Sequence, residues 1–196
     1  MPHPYFFIDH PIAMVLFDGT LAVWAATEFR QALRRRPGGT TRDYGSRFVI
    51  VMFAAGGFLL AALARSKVTT VAFPSDAITF GIGLAIIWAG VGLRWWSFRT
   101  LGRYFTLDVM TSADQPVIST GPYRFLRHPS YAALLLILVG IGIMSANWLS
   151  LAAVILLPLL GLMHRMRVEE AALSATLGDA YRSYAKTHKR IIPFIW

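Results

Sequence analysis

The chain has 196 residues, of which 56% are hydrophobic and only 15% charged, with a net charge of +9 and no cysteine. Soluble domains run at about 45 to 50% apolar and about 25% charged, so these figures point to a polytopic membrane protein. Disulfides, thiolate metal sites and a cysteine nucleophile are excluded. Basic residues set between long apolar runs do not make a nucleic-acid surface, so no nucleic acid is expected as a partner.

The N-terminal MPHPYFFIDHP carries no basic residue ahead of the first apolar stretch and no persuasive cleavage site, so that stretch is expected to be retained. Crossing a hydrocarbon core of about 30 Å takes roughly 20 helical residues. Segments near that length run from Ile12 to Phe29, from Phe48 to Ala64 and from Ala77 to Phe98. Two shorter ones, Tyr131 to Ser145 and Trp148 to Met163, are separated only by Ala146 and Asn147 and predict a tight helical hairpin. The expected fold is all-α, a polytopic membrane protein with five transmembrane helices, the last two a short hairpin, followed by a C-terminal helical region. In that region Val168, Ala172, Leu173 and Leu177 recur at helical spacing up to Gly178, a residue suited to ending a helix. A short helix from Asp179 to about His188 is expected next. The closing RIIPFIW, with Phe194 and Trp196, reads as an interfacial anchor.

Basic residues set the threading, because cytoplasmic loops are enriched in them. Residues 30–47 hold six arginines, residues 99–130 hold four, and residues 165–190 hold six lysines and arginines; residues 65–76 hold two and residues 1–11 none. The N-terminus is therefore expected outside, with both long basic loops and the C-terminus cytoplasmic. The loop of residues 30–47 has turn residues and no apolar period, and it reads as a solvated topogenic loop without chemistry.

Polar groups inside membrane segments are costly and usually have a reason. Glu28 is near a helix end and can reach the interface. Asp18, beside Gly19, is expected to pair with Arg94 or another helix, or to face a substrate cavity. On spacing alone Arg165 and Glu169, at i and i+4, make an intrahelical ion pair of about 0.3 to 0.5 kcal/mol. Taken singly, Arg124 and Arg127 read as topogenic charges, Trp95 and Trp96 as an aromatic belt, and His128 as a helix-end residue.

Jointly these residues say more. GPYRFLRHPSY before an apolar hairpin, then RMRVEEAALSATLGDAYRSYAK and a near-terminal proline, resembles the isoprenylcysteine carboxyl methyltransferase family, integral-membrane enzymes related to phospholipid methyltransferases. The resemblance covers about residues 93–196, which divides the chain into N-terminal helices with a basic loop (1–92) and a methyltransferase core (93–196). It implies S-adenosylmethionine as methyl donor and S-adenosylhomocysteine as product, bound at the cytoplasmic face. Carried over by position, the cofactor residues are Gln115, Pro116, Val117, Ile118, Tyr123, His128, Pro129, Ser130, Tyr131 and Glu169. Arg165 matches the position that engages the substrate. The family can also place a polar contact near YFTLDVM, where Asp108 and Met110 are both candidates. The implied partners are a lipidic or prenylated carboxylate substrate and membrane lipids. A phospholipid amine or a thiol as acceptor, a membrane reductase using NADPH, and a non-catalytic binding or carrier protein are the alternatives.

Overall fold

The computed structural model describes residues 5–33, 40–41, 43–106, 108–112, 115–193 and 195; Phe194 and Trp196 of the expected anchor lie outside them. Six α-helices follow in order: α1 (Pro11–Ala32), α2 (Ser46–Lys67), α3 (Ala77–Leu101), α4 (Pro129–Met144), α5 (Trp148–Leu177) and α6 (Asp179–Thr187). Two short antiparallel strands, β1 (Thr40–Thr41) and β2 (Met110–Thr111), tie the α1–α2 connection to the segment after α3.

Local chemistry places the helix ends. Pro11 and Pro129 open α1 and α4, where the missing N–H has no intrahelical partner to lose. The Asp76 and Asn147 side chains accept from the Thr79 and Ser150 amides at 2.8 and 3.0 Å, capping α3 and α5. Gly178, at φ 58°, ends α5 as expected.

Four helices, α1, α2, α3 and α5, are long and apolar enough to cross a membrane, while α4 is a shorter apolar helix of 16 residues. The chain is thus an all-helical integral membrane protein. The fifth expected segment differs from the expectation of a span ending at Met163 with a separate amphipathic helix beyond. α5 is one uninterrupted helix of 30 residues, about 45 Å at 1.5 Å per residue. Apolarity ends near His164, but nothing there breaks the helix, so α5 carries its more polar C-terminal half straight beyond the apolar stretch.

Two helix pairs, α3 with α4 and α2 with α5, form the body of the bundle, and the α4–α5 hairpin joins them. Small residues let the backbones approach, as in membrane interiors generally. A Cβ at Gly90 would lie 2.8 Å from the Ala133 carbonyl, and one at Gly57 would lie 3.0 Å from the Ala153 carbonyl. The hairpin turn is pinned from outside. Ala146, at φ 51°, accepts from the Phe73 amide at 3.0 Å, Asn147 donates to the Val68 carbonyl at 2.8 Å, and Arg65 donates to the Ser145 carbonyl.

Candidate active site

Between the C-terminal end of α3, the N-terminal end of α4 and the second half of α5 lies a cavity of about 310 Å³, within the range of small-molecule sites, about 300 to 1,000 Å³. One wall is the chain before α4. Gly121, at φ 55°, turns it where a Cβ would fall 2.6 Å from the Thr100 hydroxyl, a conformation and a clearance that only glycine meets. The turn buries Tyr123, and the Tyr184 hydroxyl of α6 donates to the carbonyls of Tyr123 and Leu126 at 2.7 and 3.2 Å. Burial, with the Glu169 charge next, raises the Tyr123 phenol well above its ordinary value, so it stays protonated.

The same segment is clamped by the C-terminal chain. The amides of Arg127 and His128 donate to the carbonyls of Lys189 and Arg190 at 2.7 and 2.9 Å. Behind them Glu170 collects three cationic or donor side chains: Arg127 Nη1 at 2.9 Å, His128 Nε2 at 3.0 Å and Arg190 Nη2 at 2.8 Å. A carboxylate only accepts, so His128 donates through Nε2. Its Nδ1 lies 3.8 Å from Glu169 Oε2. The acidic pair thus divides its work: Glu170 ties the clamp, and Glu169 borders the cavity.

Opposite the clamp, Tyr131 donates to Glu169 Oε2 at 2.7 Å and accepts from Arg165 Nε at 2.9 Å. Arg165 and Glu169, expected as a simple pair on one helix, are therefore bridged through the Tyr131 hydroxyl. Arg165 Nη1 meets Asp43 Oδ1 at 2.9 Å and Ser46 Oγ at 3.3 Å, and its side chain is only 6% exposed. Burial works to raise the Asp43 carboxyl, but hydrogen bonds from Ser46 and the Arg47 amide, with the Arg165 charge, hold it below its ordinary value. This corrects the reading of residues 30–47 as a loop without chemistry: its one described acid, Asp43, reaches the cavity wall.

Every sequence-predicted site residue but one borders this cavity: Gln115, Pro116, Val117, Ile118, Tyr123, His128, Ser130, Tyr131, Glu169 and Arg165. The exception is Pro129, fully buried at the first turn of α4. Asp108 and Met110 both border the cavity too; Asp108 pairs with Arg47 at 3.4 Å, and Met110 sits in β2 opposite Thr41. Asp18 does not: it is exposed on α1, and the partner of Arg94 is Glu28 instead. Sequence reasoning missed Asp43, Glu28 in this role, and the α6 tyrosines Tyr181 and Tyr184, which also line the cavity. A lone acid in an arginine-rich loop was a usable signal for Asp43; nothing local marks the tyrosines.

Away from the clamp the cavity is also lined by Leu134 of α4, Trp24 and Glu28 of α1, and Ile50 and Val51 of α2. α1 packs on α3 and makes no extensive interface with α2 among the described residues; Trp24, Ile50 and Val51 line an apolar slot at the α1–α2 side.

The fold has a solved counterpart. The structure of the eukaryotic intramembrane Ras methyltransferase, isoprenylcysteine carboxyl methyltransferase, superposes with a TM-score of 0.68 at 23% identity, covering 95% of this chain and 69% of that one. The architecture is thus that of an intramembrane methyltransferase. In sequence, the profile of the isoprenylcysteine carboxyl methyltransferase family matches residues 82–175. A rice (Oryza sativa subsp. indica) protein described as a probable protein-S-isoprenylcysteine O-methyltransferase is 30% identical over 186 residues, 93% of each chain. Protein-S-isoprenylcysteine O-methyltransferase B of Arabidopsis thaliana is 30% identical over 115 residues, 58% of each chain. The chain belongs to the isoprenylcysteine carboxyl methyltransferase family and is a methyltransferase of that type.

Proposed function

We propose that the enzyme moves the methyl group of S-adenosylmethionine to the carboxylate of a lipid-tailed, prenylcysteine-like acceptor at the cytoplasmic face of the membrane. The observation that carries this reading is the single cavity running from the clamped polar wall at His128 and Glu169 to the apolar slot between α1 and α2. The rice and Arabidopsis relatives are named for the same transfer. The distribution of basic residues supports a cytoplasmic site, with the N-terminus outside and the C-terminus inside.

The residues present suit the donor. It carries a net positive charge, and Glu169, whose partners are the Tyr131 hydroxyl and His128, is an anion held at the cavity wall without an arginine ion pair among the described residues. Glu169 accepts from the donor's ammonium or ribose hydroxyls, His128 Nδ1 faces the same end, and the Tyr123 and Tyr131 rings favour a sulfonium by about 0.5 to 2 kcal/mol. Residues 115–118 form the wall against the nucleoside, while buried Pro129 fixes the turn that presents His128 and Ser130. When bound, the donor supplies an electrophilic methyl group. The acceptor carboxylate is ionised at neutral pH, so no residue need act as a base. The protein's task is placement and exclusion of water. Arg165, locked by Asp43 and Tyr131, supplies the positive potential that orients the acceptor oxygen, and the slot leaves the lipid tail in the bilayer.

Methyl-labelled S-adenosylmethionine and an S-prenylated N-acetylcysteine, incubated with detergent-purified enzyme, test this. The expected product is a labelled ester that releases volatile methanol in base. Label transferred in a base-stable form would mark an amine or thiol as the acceptor and end the carboxylate reading.

A further inference from the structure

Among the described residues four arginines border the cavity, and each meets a carboxylate of this chain: Arg47 with Asp108, Arg94 with Glu28, Arg127 with Glu170 and Arg165 with Asp43. Arg94 is held differently from the others. From behind, its Nη1 donates to the Ser130 carbonyl at 2.9 Å and the Ser130 hydroxyl at 3.0 Å, and its guanidinium lies 4.8 Å from the centre of the Phe98 ring. Its opposite edge is met bidentately by Glu28: Nε by Oε1, and Nη2 by Oε2 at 2.8 Å. The guanidinium therefore keeps its place whether or not that second edge is occupied.

The occupant, by contrast, is weakly seated. Glu28 belongs to α1, the helix least embedded in the bundle, and its side chain is 24% exposed against 6% for Arg94. Beyond Arg94, its one further hydrogen-bond partner among the described residues is the Trp24 indole, at 3.2 Å on the same helix. Trp24 and Glu28 stand together where the apolar slot enters the cavity. A guanidinium edge fixed from behind is a receptor for a carboxylate, and the carboxylate now in it comes from a helix placed to move.

We infer that Glu28 is an exchangeable stand-in for the acceptor: it holds the Nε–Nη2 edge of Arg94 in the acceptor-free enzyme and yields it to the carboxylate of a lipid entering toward Arg165. The inference rests on the carboxylate reading above. A buried guanidinium left without a counter-charge is costly, so the stand-in keeps the empty site neutral. Exchanging one carboxylate for another preserves that neutrality, whereas an uncharged or cationic head group cannot release Glu28 without leaving Arg94 bare. Glu28 thereby weakens apparent acceptor binding by the fraction of molecules in which the edge is closed.

The test compares wild type with Glu28→Gln in the purified enzyme, using an S-prenylated N-acetylcysteine as substrate, an S-prenyl thioether without any polar head group as inhibitor, and S-adenosylhomocysteine as a probe of the donor site. The substitution is expected to lower KM for the carboxylate roughly tenfold, with inhibition by the headless thioether and affinity for S-adenosylhomocysteine unchanged. An unchanged or raised KM, or equal gains for the carboxylate and the headless thioether, would overturn the inference and leave Glu28 a structural strut. If Glu28→Gln does not fold, Trp24→Phe removes the indole donor while Arg94 keeps its counter-charge. Its carboxylate KM should then fall by about twofold, and no fall selective for the carboxylate overturns the inference equally. Wild-type enzyme that binds S-adenosylhomocysteine but never esterifies the acceptor would instead sink the carboxylate reading, and the inference with it.

Discussion

α4 and α1 both border the cavity, yet they are built to different standards. α4 lies against α3 so closely that a methyl group at Gly90 would run into the Ala133 carbonyl and the Ile137 side chain, and Ile87, Ala133 and Ile137 are fully buried between them. α1 leaves Ile12 and Val15 more than 70% exposed and has open space around Gly19. The polar end of the cavity, with His128, Tyr131 and Glu169, is carried by the tight half. Its apolar mouth, with Trp24 and Glu28, is carried by the loose one. Rigidity is thus concentrated around the charged groups, and looseness around the apolar mouth, which suits the proposed entry of a lipid tail.

Four substitutions can break or sharpen this comparison, from the largest expected effect to the smallest. Gly90→Ala forces backbone apart in the tight half and should cost about 3 kcal/mol, since the added methyl meets backbone atoms of Ala133 and Ile137 as well as the Ile137 side chain. A thermal midpoint close to wild type would show that α3 and α4 are less tightly coupled than described. Glu169→Ala leaves the bundle intact and removes a charge-assisted hydrogen bond, so affinity for S-adenosylhomocysteine should fall about 10- to 100-fold by calorimetry. Asp43→Asn loosens Arg165 without touching the donor wall. The ratio kcat/KM for a carboxylate acceptor should fall about tenfold while donor affinity holds, and an equal loss of donor affinity would argue against this division.

The Asp43 tie also predicts a pH dependence. Its carboxyl titrates below its ordinary value of 3.8 when folded, so its contribution to stability is fully present above the ordinary carboxylate range and is lost as pH falls through the lowered value. Acid should therefore erode the thermal midpoint of wild type more steeply than that of Asp43→Asn below about pH 4. Smallest of all, Gly19→Ala on the open face of α1 should stabilise by at most about 0.5 to 1 kcal/mol, the intrinsic helical gain of alanine over glycine. A marked loss would mean that this face is covered by something else.

The tight half was also the more legible half. The apolar lengths, the Ala146–Asn147 turn and the Gly178 stop each state their structure locally, because caps, turns and hydropathy act within a few residues. The grouping at the cavity was legible through a joint pattern, GPYRFLRHPSY before the α4–α5 hairpin and RMRVEEAALSATLGDAYRSYAK at its far end.

 His128 to Tyr131 open α4, and Arg165 and Glu169 sit one turn apart on α5, so their grouping was visible before their contacts were.

The rest depended on tertiary approach. Glu28 meets Arg94 across 66 positions and Asp43 meets Arg165 across 122, and no periodicity encodes either distance. Asp18 was the natural candidate for Arg94 by depth in the span, but the turn of α1 points it outward, and Glu28 is the acid on the inward face. The length of α5 was misjudged for a different reason. Hydropathy reports where lipid ends, not where hydrogen bonding ends, and the chain after Met163 keeps strong helix formers through Leu177.

The central claim is that Glu169 and the clamped wall hold a methyl donor while Arg165 serves the acceptor. It is tested most directly by calorimetry of the purified enzyme and two variants against S-adenosylhomocysteine. The account predicts clear binding to wild type, a severe loss in Glu169→Ala and near-native affinity in Arg165→Ala. No binding to wild type, or an unchanged affinity in a correctly folded Glu169→Ala, would contradict it.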